Sequence, residues 1–550
     1  MPQNVPVTRR SLLAAGRFLA LLAATGACLA AGEPAPVPSF EELEALGARV
    51  GEVRIDTQNI FDLTDPREDN SFYRAVNFLH LTTRTTVIAR QLLFRQGDRL
   101  SARLIDESER ILRQNKYIYD VDIRPTAYHD GVADIEITTR DTWTLDVVVT
   151  FSHSGGANNS RYGLTEYNLL GTGATLGAFQ TSTPDRHGHT FEFTYPQAFD
   201  HWTQLSYVEG RFNDGSSQAA AITRPFYALD TRWAAAANGL RFNRIDSVYN
   251  TGETVSQFRH REDGAQAWGG WSRGLIDGWA QRFSAGFTMQ DDKYAAVPGE
   301  AAPDPFPVDH ELRGPFLQYE LVQDRYAKMR NHDQIGRTEV VQLGTDLTAQ
   351  VTQSSRAWGA TSDAWLYAVN WSDAYTMPWE HDLFATAVAE RYLASTGEPL
   401  SHQGFTLRYY WPQGAHTAFY AAVSGDRLGT AAAPDQLQLG GDTGLRGYPL
   451  RYQEGEKRAL VTLEERYYTD WYPFRLFRVG AAAFYDRGRA WGGVNQNTVN
   501  GGWLSDVGIG ARLSLDRTFA RVLHMDIAVP LNREPGIKRV QYIVRTEIAF

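Results

Sequence analysis

The stretch that decides the fold is "WLSDVGIGARL", residues 503–513. Trp503, Val507, Ile509, Ala511 and Leu513 share one parity, and Asp506, Gly508, Gly510 and Arg512 share the other. Strand side chains alternate with a period of two, so each set occupies one face. The following segments repeat the pattern. In "LHMDIAV" (523–529), Leu523, Met525, Ile527 and Val529 oppose His524, Asp526 and Ala528. In the last strand, Tyr542, Val544, Ile548 and Phe550 oppose Arg545, Glu547 and Ala549. Charge on one face and aliphatic or aromatic groups on the other suit a soluble sandwich and a membrane barrel alike. The final aromatic on the apolar face, together with the start of the chain, favours the barrel.

That start reads as a secretory leader. Arg9, Arg10 and Arg17 are basic, "FLALLAATGACLAA" (18–31) is apolar, and small residues precede "GEPAPVPS". This is a signal peptide over residues 1–31, with cleavage near Ala30 or Ala31. "TRRSLL" faintly resembles a twin-arginine signal, but that route carries folded cargo and suits a barrel badly. "TGAC" is a poor lipoprotein box, because Thr25 stands where an aliphatic residue is expected. Cys28 is the only cysteine, so the mature chain would carry no disulfide. An oxidising compartment permits disulfides without requiring them.

Composition agrees with a barrel. The 550 residues include 14 Trp, 26 Tyr, 27 Phe and 48 Gly, yet no stretch after the leader resembles a spanning helix. Such a helix needs roughly 20 consecutive apolar residues. A barrel alternates a lipid face with a polar lumen, so its average hides the apolar half. The net charge is -10, and losing the three leader arginines takes it to -13. Nucleic-acid binding usually needs a basic face and is not expected.

Residues 32–50 are rich in Pro and Glu and read as an extended linker. Residues 51–141 read as a small α+β domain. "GEVRIDT" alternates like a strand and "TVIARQLLF" suggests a helix. Ser101 is a good helix N-cap, followed by Leu104, Ile105, Ser108, Ile111 and Leu112 on one face. "YDVDIRPTAY" and "VADIEITTRD" make two strands around a "HDG" turn. Residues 61–81 exceed what this pattern needs and are left unplaced. Residues 142–550 are assigned to a transmembrane antiparallel barrel. At ~9–11 residues per strand, with short turns on one side and longer loops on the other, about 16 strands fit.

Within the barrel, "LGGDTGLRGY" (439–448) is the most specific motif. Gly440, Gly441, Gly444 and Gly447 allow a tight fold-back, since Gly adopts positive φ freely. Arg446 sits among them and Tyr448 closes the motif. Further on, "FYDRG" places Phe484, Asp486 and Gly488 on one face, and "VTLEERYY" places Glu464 and Arg466 together.

These motifs resemble the POTRA-barrel superfamily, which includes outer-membrane assembly factors (BamA and TamA types), two-partner secretion transporters and bacterial surface antigens. "RGY" resembles the loop motif of that superfamily, with Leu445 where Val is usual, and "FYDRG" resembles its F-x-D-x-G strand. "EYNLLGTG" (166–173) resembles an early barrel strand, and the strand, helix, helix, strand, strand order of 51–141 resembles a POTRA domain. The resemblance implies a loop arginine inserted into the lumen. Arg446 would then pair with Asp486 and Glu464, a planar fork meeting carboxylates. It also implies that the terminal pattern Tyr542, Val544, Ile548 and Phe550 acts as an assembly signal.

Other patterns carry less. "GTGATLG" (171–177) lacks the Lys-Ser/Thr ending and the helix of a phosphate loop. His187 and His189 show no third ligand and read as a solvated loop. "RYYTDWYPF" (466–474) reads as an interfacial aromatic girdle. No G-x-S-x-G or H-E-x-x-H occurs, and Glu464 and Glu465 have opposite parity. No enzyme, cofactor or metal is therefore expected.

The expected role is to insert proteins into, or move them across, the bacterial outer membrane. Its partners would be unfolded outer-membrane or secreted clients, the lipid bilayer, and a possible periplasmic factor at the N-terminal domain, where a client strand could add to a sheet edge in 121–126 or 132–139. Two rivals stand beside it. A two-partner secretion transporter would carry two POTRA domains and a plug helix, which Pro34, Pro36 and Pro38 disfavour. A passive channel or surface antigen would use the barrel alone.

Overall fold

The computed structural model describes residues 37–378, 381–394, 400–429, 436–492, 501–515, 522–532 and 537–547. The leader, Cys28, Ile548 and Phe550 lie outside these residues.

The N-terminal unit begins earlier than residue 51. Residues 40–45, read as part of the Pro- and Glu-rich extended linker, form helix α1 (Phe40–Ala45). A capping box starts it. The Ser39 side chain accepts from the Glu42 amide at 3.3 Å, and Glu42 accepts from the Ser39 amide at 2.8 Å. This S-x-x-E signal was present in the sequence. Strand β1 (Arg49–Gln58) follows, then α2 (Ser71–Leu79), α3 (Thr85–Ala89), α4 (Ala102–Arg113), β2 (Ile118–His129) and β3 (Val132–Asp141). The sheet order is β1-β3-β2, with β1 parallel and β2 antiparallel to β3. Leu43, Ile88, Ile105, Leu112, Ile118 and Ile135 fill its core. Ser101 occupies the N-cap of α4, but its side chain makes no capping bond. The unplaced residues 61–81 contain α2.

From Leu145 onward the alternation closes into one antiparallel barrel. Among the described residues it has 20 strands rather than about 16. The difference lies in the turns. Gly155-Gly156, Thr251-Gly252 and Asp277-Gly278 join strands directly, each with positive φ at both positions. Such two-residue turns match the twist of paired strands. Tight turns therefore occur at both mouths, and chain allotted to loops becomes wall.

Outward residues such as Val147, Leu164, Leu317, Ile509 and Tyr542 are exposed and apolar, while Arg282, Glu464, Asp486, Arg512 and Asp526 are buried inside. Lipid outside and a charged lumen is the arrangement of a membrane-spanning barrel. The first strand (Leu145–Ser154) pairs antiparallel with the twentieth (Gln541–Glu547), with His153 opposite Val544. The ring closes at this seam.

The N-terminal unit is seated across the near mouth. Arg103 pairs with Asp230, and Glu107 accepts from the Leu229 amide at 2.8 Å. The Tyr73 hydroxyl donates to the Phe474 carbonyl at 2.5 Å. The Arg84 amide donates to the Gly171 carbonyl at 3.0 Å. A two-stranded hairpin, Tyr326–Arg330 with Thr338–Gln342, stands apart from the wall between this unit and the lumen.

Candidate functional site

Residues 436–456 enter the lumen from the far mouth. They join the fifteenth strand (Thr417–Gly429) to the sixteenth (Lys457–Tyr468). Leu437–Leu439 and Gln453–Gly455 pair as a short ladder, which holds the loop as a folded arm. At its turn, Gly440 has φ +128°, and a Cβ there would lie 2.3 Å from the Pro449 carbonyl oxygen. Gly447 has an ordinary φ, but its Cβ would meet the Asp506 Cβ at 2.6 Å. Only glycine lets the arm lie this close to the wall. Leu445 and Tyr448 are fully buried with Leu439, Tyr452, Ala490 and Leu504.

Arg446 lies at the tip and is almost fully buried. Its Nε donates to Asp486 Oδ2 at 2.7 Å and its Nη2 to Asp486 Oδ1 at 3.1 Å, a bidentate fork. Its Nη1 donates to Glu464 Oε2 at 3.1 Å and to Asp526 Oδ2 at 3.3 Å. Beneath the guanidinium lies the Phe484 ring, 3.3 Å from its centroid, so the cation is also held through the ring's negative face. Gly488 leaves room for the loop's Leu439, whose Cδ2 lies 2.9 Å from where a Cβ would be. The Tyr448 hydroxyl donates to the Ser505 carbonyl at 2.9 Å. The structure thus brings the motif residues onto Asp486, Glu464, Phe484 and Gly488. Tyr542 and Val544 are elsewhere, on the twentieth strand.

The network is wider than the motifs indicated. Asp526 joins it, and Arg512 bonds Asp526 and lies 3.5 Å from Glu464. The Arg466 Nε donates to Glu464 at 3.2 Å. Asp506 faces Asp486 in direct register. Lumen parity was the available signal for all four, and cross-strand register selects them from the other inward charges.

Three further ties hold the arm at the far mouth. The Leu450 amide donates to the Gly155 carbonyl at 3.1 Å. Arg451 forks onto Asp185 at 2.8 and 2.5 Å. Gln436 exchanges two bonds with the Tyr249 backbone, at 2.8 and 2.9 Å. Burial raises the Asp185 carboxyl, but bonds from Arg451 and Tyr249 more than offset this and hold it below its ordinary range.

At the near mouth, the hairpin tip plugs the lumen. The Arg466 Nη1 donates to the His332 carbonyl at 3.2 Å, and the Tyr468 hydroxyl to the Asn331 carbonyl at 2.9 Å. The His332 ring stacks on Tyr410 at 3.9 Å. On the opposite side, Lys328 pairs with Glu109 at 2.8 Å and the Arg110 guanidinium covers Tyr326 at 3.8 Å. Within "RYYTDWYPF", Tyr467, Trp471 and Phe474 are exposed, whereas Tyr468 turns inward.

His187 and His189 lie on the fourth strand (His187–Ala198) rather than in a loop, and both are exposed. Residues 171–173 form a turn and 174–182 a strand. Two mixed groups merit inspection as metal sites. In the group of His260, Glu262 and Asp292, both ring nitrogens of His260 are already taken, by Asp246 at 3.1 Å and Asp292 at 2.8 Å. In His332, Asp333 and Glu339, the Glu339 carboxylate already receives the amides of residues 332–334.

No family model and no curated protein matches the chain. It is similar to three solved barrels. BamA from Haemophilus ducreyi lacking POTRA domains 1-3 is 11% identical, covering 91% of this chain and 85% of that one, with a TM-score of 0.40. CdiB from Escherichia coli is 11% identical, covering 92% and 77%, with a TM-score of 0.47. The FrpB iron transporter from Neisseria meningitidis is 9% identical, covering 83% and 89%, with a TM-score of 0.41. The functional reading rests on the chain's own lumen.

Proposed function

We propose that this chain is an outer-membrane protein of the POTRA-barrel superfamily that inserts client proteins into, or moves them across, the outer membrane. One observation carries the reading. A single lumen arm is fixed by Arg446 to the sixteenth, seventeenth and nineteenth strands and by Leu450 to the turn after the first strand. It therefore reaches both sides of the seam between the first and twentieth strands. A seam between the first and last strands that is braced from within suits a wall that opens sideways there. The N-terminal unit is read as a POTRA-like domain in the periplasm, with clients as its partners. No bond-making chemistry is required, and client folding supplies the free energy.

The plug at the near mouth and the arm at the far mouth disfavour a passive channel. The test locks the seam with a His153→Cys, Val544→Cys pair in a depletion strain, followed by outer-membrane proteomics. Loss of a set of barrel or secreted proteins, restored by reductant, is expected. Loss of one secreted protein alone would favour a dedicated two-partner transporter. No change in any other protein would overturn the translocation reading in favour of a surface or channel role.

A further inference from the structure

The segment around α2 is not used by the site described above. It bridges turns on either side of the seam. At one end, Tyr73 bonds the Phe474 carbonyl in the turn before the seventeenth strand (Phe477–Trp491). At the other, Arg84 bonds the Gly171 carbonyl in the turn after the second strand (Ala157–Leu169). Between these points run the strands that flank the seam.

The helix is two-faced. Its inner face is satisfied: Tyr73 stacks on Phe61 at 4.0 Å, and Asn77 exchanges bonds with the Phe61 backbone at 3.1 and 2.8 Å. The outer face carries Phe72 at 60% exposure, Phe78 at 88% and Leu79 at 70%, and Leu81 follows at 60%. Phe72 and Leu79, seven apart, lie above one another on a helix. Four large apolar side chains on one short segment form a patch that water alone does not favour.

The occupant follows from height. The turns that pin the segment belong to the barrel's own apolar rim, where Phe474 is 76% exposed and Leu170 60%. The patch lies on a segment pinned at both ends to that rim. We infer that α2 is an interfacial helix, lying in the bilayer leaflet nearest the N-terminal unit with Phe72, Phe78, Leu79 and Leu81 among the acyl chains. A short helix with aromatic and aliphatic groups on one side binds in that manner, at the boundary between headgroups and chains. Arg74, held by Asp69 at 2.6 Å, gives the same short helix a charged side that can meet the headgroups. This inference needs the barrel to span a bilayer but does not need a client.

Spin-label depth measurement tests it. The protein carries Cys28→Ser and is reconstituted into vesicles of phosphatidylethanolamine and phosphatidylglycerol. Nitroxides are placed singly at Phe78→Cys and Leu79→Cys, with Val147→Cys on the outer wall and Asp122→Cys on β2 as references. The labels on α2 should match Val147→Cys, accessible to oxygen and shielded from a water-soluble nickel chelate. Nickel access matching Asp122→Cys would overturn the inference. Shielding from both probes would also overturn it, since protein rather than lipid would then cover the face. Two label positions keep the test decisive if one substitution fails to fold.

Discussion

The Leu450 amide donates to the Gly155 carbonyl at 3.1 Å, joining the lumen arm to the turn between the first two strands. The same arm meets strands beyond the seam through Arg446. A closed barrel has no free edge only if its last ladder forms, and here the first and twentieth strands form it. The arm adds side-chain closure to that backbone pairing, so loosening the arm and loosening the seam are expected to go together.

Arg446→Ala tests the fork. It leaves Glu464, Asp486 and Asp526 inside without their shared cation. Removing one partner of a buried pair costs about 3–5 kcal/mol. The urea midpoint of the variant in vesicles should fall accordingly. Arg446→Lys should recover part of the loss, because an ammonium restores charge but not the planar fork. An unchanged midpoint for Arg446→Ala would show that the carboxylates are hydrated or protonated independently of the arm.

Gly447→Ala isolates contact from charge. The added methyl meets Asp506 at 2.6 Å without a backbone penalty, since this glycine has an ordinary φ. The arm should lift, and trypsin should cut after Arg451 faster in the folded barrel. Gly502→Ala is the matched control, with nothing within 4 Å of its Cβ and no positive φ. Equal cleavage rates in the two variants would sink the idea that glycine is needed for approach.

How much of this was legible follows from what each feature depends on. Parity reports which face a residue takes, so the sequence placed Asp486 and Glu464 on the lumen side and Val507 and Ile509 outside. Parity does not report height along the barrel. Asp526 stands opposite Gly510, and its reach to Arg446 depends on register across the eighteenth and nineteenth strands. The plug hairpin was hidden for another reason. "YAKMR" and "TEVVQ" resemble wall strands, but each is five residues long, half of the ~9–11 a wall needs. That shortness was the available signal. The strand count failed because Thr251-Gly252 and similar pairs turn without a loop.

Deleting the plug should open the lumen. The Leu343 amide donates to the Arg325 carbonyl at 2.8 Å, so the hairpin's ends already meet and residues 326–342 can be replaced by a two-glycine turn. Conductance in planar bilayers should rise well above that of the intact protein. Arg466→Lys, which weakens the bond to the His332 carbonyl while keeping the charge, should give intermittent openings. Silence from the deletion would mean that the arm alone seals the lumen, and that the hairpin serves only to seat Tyr326 and Lys328 against α4.

The Arg451–Asp185 tie should have its own pH signature. Asp185 titrates below its ordinary value in the folded protein, so its ion pair contributes stability above the unfolded pKa of about 3.9 and loses it as pH falls through the lower folded value. Both side chains are partly exposed, at 17% and 31%, so the contribution is ~1 kcal/mol or less. Comparing the thermal midpoints of the native chain and Asp185→Asn removes every other titrating group from view. Their gap should stay constant from pH 7 to about 5 and close below about 4. A gap that persists unchanged to the most acid pH would place the contribution in shape rather than charge, leaving the arm held at this end by Leu450 and Gln436.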